Sequence, residues 1–229
     1  MSTTKTALIT GASAGLGRAS ALALAARGWD LILTARTLDP LTLVREATGA
    51  MAVAGDVADP AHRARLAAVV ADLDRLDLVI NNASALGPSP MPRLAAYPLD
   101  DFTTVLATNI VAPLAILQMT LPKLQAAKGI VVNISSDAAV SPYEGWGGYG
   151  ASKAALDHLT AIFAAENPDL SSYSFDPGDM RTAMHQAAFP DEDISDRPEP
   201  ETVVPALLRL LDTRPPSGRY TAAGLTVPR

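Results

Sequence analysis

The sequence predicts a doubly wound α/β fold, a single parallel sheet flanked by helices, and three observations carry that prediction. Apolar runs of strand length alternate with stretches of helical period. The runs are continuous instead of alternating with polar residues, the mark of strands covered on both faces. A glycine-rich turn joins the first run to the first helical stretch.

Taken in order, Thr6 to Thr10 reads as a strand, Ser20 to Arg27 as a helix and Leu31 to Arg36 as a second strand. The alternation continues with a strand at Ala52 to Asp56, a helix at Pro60 to Leu73 and a strand at Leu78 to Asn81. A long helix over Asp100 to Gln125, a strand over Gly129 to Ile134 and a helix from Tyr149 to about Ala165 follow. No repeat or linker interrupts the pattern, so residues 1–229 are expected to form one domain. Two proline-rich segments, Gly87 to Pro98 and Phe189 to Pro200, break the rhythm where strands end. The second, with Asp191, Glu192, Asp193, Asp196, Glu199 and Glu201 in or beside it, is either a solvated loop or a substrate lid.

Composition narrows the function classes. The chain is 48% hydrophobic but only 5% aromatic, so aliphatic side chains fill the core and base-stacking platforms are not expected. A net charge of −6 argues against broad nucleic-acid binding. No cysteine is present, which removes disulfides and thiolate chemistry. His62, His158 and His185 are isolated, without metal-ligand spacing, and no metal is expected. No apolar run approaches the roughly 18 residues of a membrane span, and no signal-peptide pattern opens the chain; a cytoplasmic protein without a membrane partner is expected.

Thr10-Gly-Ala-Ser-Ala-Gly-Leu-Gly17 lies between strand and helix, where glycines allow a tight turn and backbone N–H groups meet a pyrophosphate at the helix amino end. The expected dinucleotide contacts there are Gly11, Ser13, Gly15, Leu16 and Gly17, and the fold is of the Rossmann type. About twenty residues on, where an acid would hold the ribose of NAD, stand Ala35 and Arg36. Ala35 accepts nothing, whereas the Arg36 guanidinium suits a 2′-phosphate, which favours NADP(H). Asp56 and Val57 after the third strand, and Asn81, Asn82 and Ala83 after the fourth, reach the same sheet edge. Asp56 reads either as an adenine or ribose contact or as the amino cap of the helix from Pro60.

Tyr149 and Lys153, four apart on a helix, share one face about 6 Å apart along its axis. A lysine there favours tyrosinate, and with the nicotinamide charge it is expected to lower the Tyr149 pKa from about 10. Ser136, just past the strand ending at Ile134, places a hydroxyl where it can bond a substrate carbonyl. Asn109 interrupts the apolar face of the long helix, so its amide needs either a backbone partner or a water leading to Lys153.

These residues, in this order, resemble the short-chain dehydrogenase/reductase family from Thr6 to about Ala222; Pro177-Gly178 and Thr182 complete the match. The resemblance implies an oxidoreductase that interconverts a carbonyl and an alcohol by hydride transfer. It implies that Tyr149 exchanges the proton, Ser136 orients the carbonyl, Lys153 binds the nicotinamide ribose and tunes Tyr149, and Asn109 anchors a relay water. Pro177, Gly178, Met180 and Thr182 are implied to border the nicotinamide, and a homodimer or homotetramer to form through the two long helices. Ser84 and Ala14 depart from the family pattern, as does a tail, Ser217 to Ala223, without an Asp-Gly-Gly ending. The segments Asp176 to His185 and Ser217 to Arg219 resemble reductases of sepiapterin or benzil type, which points toward pterin-like or diketone substrates. Leu86, Met91, Trp146, Met184, His185 and Phe189 are the candidate substrate contacts.

Two other classes compete. A catalytically inactive NADP(H)-sensing protein of the same fold is opposed by the intact Asn109, Ser136, Tyr149 and Lys153. Sugar-nucleotide epimerase chemistry is opposed by the glycine spacing and by the small carboxyl-terminal part.

Overall fold

The computed structural model describes residues 4–226. Seven strands form one sheet in the order β3-β2-β1-β4-β5-β6-β7: β1 (Thr6–Thr10), β2 (Asp30–Ala35), β3 (Met51–Ala54), β4 (Leu78–Asn81), β5 (Ile130–Ile134), β6 (Ser171–Asp176) and β7 (Gly218–Thr221). Every pairing is parallel, with Leu8 opposite both Ile32 and Val79 in register. Strand order reverses between β1 and β4, which opens a crevice beyond their carboxyl ends.

Residues two apart on each strand fall into two separate cores, one on each face of the sheet. Ala7, Ile9, Leu31, Leu33, Leu78, Ile80 and Val132 pack under α1 (Gly15–Ala26), α2 (Leu38–Thr48) and the helix Val204–Thr213. Leu8, Ile32, Val79 and Val131 pack under α3 (Pro60–Ala71), α5 (Ala112–Ala127) and α6 (Gly147–Glu166). A polar seam crosses the second layer: Asn81 Nδ2 donates to Asn133 Oδ1 at 2.8 Å, and Asn133 Nδ2 to Thr160 Oγ1 at 2.7 Å. Asn81 is therefore buried inside the sheet and is no cofactor contact, contrary to the reading that grouped it with Asn82.

The long helix is one rod in three parts: α4 (Leu99–Leu106), a π-helical turn (Ala107–Val111) and α5. Pro113 has no N–H to return to the carbonyl of Asn109, so an α-helical bond cannot close at this point. Leu99–Ala127 spans 29 residues with a window of mean hydropathy 1.6, long and apolar enough to cross a membrane. Ile116, Leu117, Thr120 and Leu124 are instead buried in this fold, the first, second and last of them in the second core. Boundaries shift elsewhere as well: the glycine turn runs straight into α1, and β2 ends at Ala35, which leaves Arg36 exposed beyond the strand.

Candidate active site

At the carboxyl edge of the sheet a cavity of about 620 Å³ runs from the amino end of α1 to Met184, lined in part by the loops after β1, β2, β4, β5 and β6. Of the expected site residues, Gly11, Ser13, Gly15, Leu16, Arg36, Asp56, Val57, Asn82, Ala83, Ser136, Tyr149, Lys153, Pro177, Gly178, Met180 and Thr182 all line it. Gly17 and Asn109 do not; they hold the walls.

The end formed by α1 suits an anionic dinucleotide. Ala14 sits at the cap position, where its methyl group accepts nothing, and no acid stands in the first turn, so the first amides of α1 face the cavity without a side-chain partner. Gly11 has a positive φ of 63°, and a Cβ on Gly17 would lie 2.3 Å from the Gly11 carbonyl oxygen, so both positions require glycine. Asn82 Nδ2 donates to the carbonyls of Thr10 and Gly11 at 3.0 and 3.1 Å, clamping this turn to the end of β4. Asp56 closes a turn by accepting from Ala58 N at 2.8 Å, and the cap of α3 is Asp59, which accepts from Ala61 N at 2.9 Å. The capping reading of Asp56 is thereby corrected.

At the other end, α6 begins at Gly147 and presents Tyr149 and Lys153 on one face, with Lys153 Nζ 5.4 Å from the Tyr149 ring centre. Lys153 Nζ donates to the carbonyl of Ile134 at 2.7 Å, where β5 ends just before Ser136. Ser136 Oγ donates to Asp137 Oδ1 at 3.0 Å and accepts from Ala138 N at 3.2 Å, which orients the hydroxyl at the cavity wall. Burial pushes the Tyr149 hydroxyl up to about 12, the Ser136 hydrogen bond opposing it and Asp176 and Asp137 adding to it. Burial also pulls Lys153 down to about 8, with Asp157 opposing. The expected lowering of the Tyr149 pKa is thus outweighed by desolvation in the polypeptide itself.

The Asn109 amide finds four protein partners. Its Oδ1 accepts from Ala85 N at 2.7 Å and Ser84 Oγ at 3.2 Å, and its Nδ2 donates to Ala85 O at 2.9 Å and Ser152 Oγ at 2.8 Å. The side chain therefore pins the loop after β4 to α6. Ser84, which departs from the family pattern, takes part in this clamp.

Over the Tyr149 end stand rings: Trp146 contacts Tyr149 and Phe189, each with centres 5.8 Å apart, and His185 lies 4.9 Å from Phe189. Leu86, Trp146, Met184 and His185 line the cavity, Phe189 backs the ring row, and Met91 lies outside, beside Gly145. The acidic segment divides in two. Asp191, Glu192, Asp193 and Asp196 are solvated, while Glu199 and Glu201 border the cavity and pair with Arg181 and Arg18 respectively. His62 is a core residue, its Nε2 2.7 Å from Thr34 Oγ1, and burial followed by Arg65 lowers its pKa. Among the described residues no three His, Asp or Glu side chains gather as a metal site.

Sequence reasoning missed Arg18, which lines the cavity, and Arg219, which reaches Ser136 from β7. Arg18 follows the glycine turn directly, so its place on α1 was the available signal; Arg219 stood out only as the end of Ser217 to Arg219, because its partners are 43 to 83 residues away.

The profile of the short chain dehydrogenase family matches residues 5–193. Sepiapterin reductase of Mus musculus is 36% identical over 199 residues, which cover 79% of this chain and 76% of the mouse protein. The chain belongs to the short chain dehydrogenase family. Within that oxidoreductase family, serine 3-dehydrogenase of Agrobacterium fabrum is 41% identical over 155 residues, 66% of this chain and 61% of that enzyme's length. A short chain dehydrogenase from Shigella flexneri, solved in complex with NADP, superposes with a TM-score of 0.88 at 29% identity, covering 96% of this chain and 97% of its own.

Proposed function

We propose that residues 1–229 act as one cofactor-binding and catalytic domain, a carbonyl reductase that uses NADP(H) to interconvert a ketone and an alcohol. One observation carries the reading: a single cavity joins the uncapped amides of α1 and Arg36 to Ser136, Tyr149 and Lys153. Gly11, Ser13, Gly15 and Leu16 would hold the pyrophosphate, Arg36 the 2′-phosphate, Asp56, Val57, Asn82 and Ala83 the adenosine side, and Lys153, Pro177, Gly178, Met180 and Thr182 the nicotinamide side. When bound, the dinucleotide supplies or accepts the hydride at the substrate carbon. The Ser136 hydroxyl orients the carbonyl, and Tyr149, protonated at neutral pH, gives its proton to the carbonyl oxygen. Lys153 keeps a positive charge beside the developing tyrosinate.

Leu86, Trp146, Met184 and the ring row make the substrate side apolar and aromatic, which suits bulky ketones and dicarbonyls better than small hydroxy acids. The likeness to a sepiapterin reductase supports the same choice. A panel of dicarbonyls, cyclic ketones and serine, followed by nicotinamide absorbance with NADPH, NADH and their oxidised forms, tests it. Turnover of none of them would overturn the reading in favour of a cofactor-sensing protein.

The Arg36 guanidinium is exposed at the cavity rim and has no hydrogen-bond partner among the described residues. Arg36→Ala is expected to weaken NADPH binding roughly 10- to 100-fold and NADH binding less than about threefold, the value of one charged bidentate contact. Titration calorimetry with both cofactors measures this, and equal losses would refute the assignment.

A homodimer or homotetramer is the expected assembly, through the exposed apolar residues Leu99, Val111 and Leu114 of the long helix and Ile162 of α6. Light scattering at about 10 μM, roughly 10⁴ times a nanomolar dissociation constant, should report at least two copies. A monomeric mass there would overturn this part of the proposal.

A further inference from the structure

Arg219 stands on β7, outside the cavity lining, yet its guanidinium reaches three elements that build the cavity wall. Its Nε donates to Asp157 Oδ2 at 3.0 Å; its Nη2 donates to Asp176 Oδ2 at 2.8 Å and to the carbonyl of Ser136 at 3.0 Å. Asp157 lies one turn beyond Lys153 on α6, and Asp176 ends β6 just before Pro177. The other oxygen of Asp176 accepts from Gly178 N at 3.0 Å, so one carboxylate links Arg219 to the turn beneath the proposed nicotinamide position.

The segment from Ile134 to Ser136 is gripped at alternate carbonyls by two cations. Lys153 holds the carbonyl of Ile134 and Arg219 that of Ser136, while Ser135 N donates to Phe175 O at 2.8 Å between them. We propose that Arg219 is a positioning residue for the reaction: its planar fork fixes where Ser136 presents its hydroxyl and offsets the charge of Asp157 and Asp176 behind Tyr149 and Lys153. The proposal rests on the reading of Ser136, Tyr149 and Lys153 given above.

A planar fork with several donors in fixed directions can serve three acceptors at once, whereas an ammonium is a point charge that cannot keep the same directions. The side chains of Asp157 and Asp176 are 16% and 8% exposed, so their charges would be poorly screened without Arg219. The charged and titratable groups near Tyr149 are Asp176 on β6, Asp137 after β5 and Lys153 on α6 with Asp157 beside it, while Asp179 and His185 beyond β6 line the same cavity. Removing one cation from this set leaves it more negative and holds the Tyr149 proton more tightly.

Arg219→Met and Arg219→Lys are to be compared with the parent and with Tyr149→Phe, using an active ketone and its alcohol. For Arg219→Met the expectation is at least a tenfold fall in kcat, NADPH affinity within threefold of the parent, and a shift to higher pH of the limb on which alcohol oxidation rises. Arg219→Lys should restore that limb while kcat stays low, because it keeps the charge and loses the fork. An Arg219→Met enzyme with the parent's kcat and pH limb refutes the role. A fall in thermal stability with both of those unchanged does so equally. Where Arg219→Met does not fold, a parental kcat in Arg219→Lys is the refuting result. Slow Tyr149→Phe with unimpaired Arg219 variants overturns the Arg219 role alone, whereas Tyr149→Phe at the parent rate overturns the reading of the site and the Arg219 role with it.

Discussion

Replacing Tyr149 with phenylalanine is expected to lower kcat by about 10²–10⁴-fold, the usual contribution of a positioned general acid. The variant loses one hydroxyl and keeps the ring, so the contact with Trp146 at 5.8 Å between centres survives. NADPH binding and the unfolding midpoint should stay close to the parent's. Because burial holds the Tyr149 proton until about pH 12, the acid form is in place throughout the neutral range and ketone reduction by the parent should show no pH limb from Tyr149 there. Single-turnover NADPH oxidation across the neutral pH range, with a cofactor titration and a thermal melt, checks these expectations. A variant that reacts at the parent rate would refute proton transfer by Tyr149.

Lys153→Met should separate function from stability. Both rate and NADPH affinity are expected to fall, the rate by about 10²-fold or more, since the charge beside Tyr149 and the proposed ribose contact leave together. The fold should not suffer. Lys153 is 2% exposed and its pKa drops from 10.5 to about 8, which corresponds to roughly 3 kcal/mol against the charged form at neutral pH. Loss of the bond to the Ile134 carbonyl offsets about 1–3 kcal/mol of that gain. The sign in pH follows from the depressed value: the folded chain binds this proton less tightly than the unfolded one, so the parent gains stability as pH climbs from about 8 to 10.5. Melting both proteins at pH 7 and pH 10 should show the Met variant equal or more stable at pH 7, with its relative standing lower at pH 10. A strongly destabilised variant at pH 7 would contradict this account.

Strands β1 to β5 are legible because their residues are apolar on both faces, as a covered parallel sheet demands. β6 is not, since Ser171-Ser-Tyr-Ser-Phe-Asp176 reads as polar, although Ser172 and Ser174 are buried and Tyr173 and Phe175 fill the first core. The period-two spacing of those two rings was the signal that went unused. β7, half-buried at the sheet edge, carries Arg219 and Tyr220 and offers no apolar run. Strand-end residues were readable because a parallel sheet brings all carboxyl ends to one edge. Side-chain partners were not: the Asn109 amide and the Arg219 fork meet groups that only folding brings near.

The two segments over the substrate end, the stretch following Ala83 and the stretch from Ala183 to Thr202, meet through a side chain where Ser89 Oγ donates to the carbonyl of Ala187 at 2.7 Å. That bond is exposed, unlike the buried polar seam of the sheet and the clamps on the dinucleotide turn and Asn109. Exchange of residues 86–98 and 183–198 is therefore expected to alter substrate choice in the proposed reductase, because the clamps made by Asn82 and Asn109 lie outside both stretches.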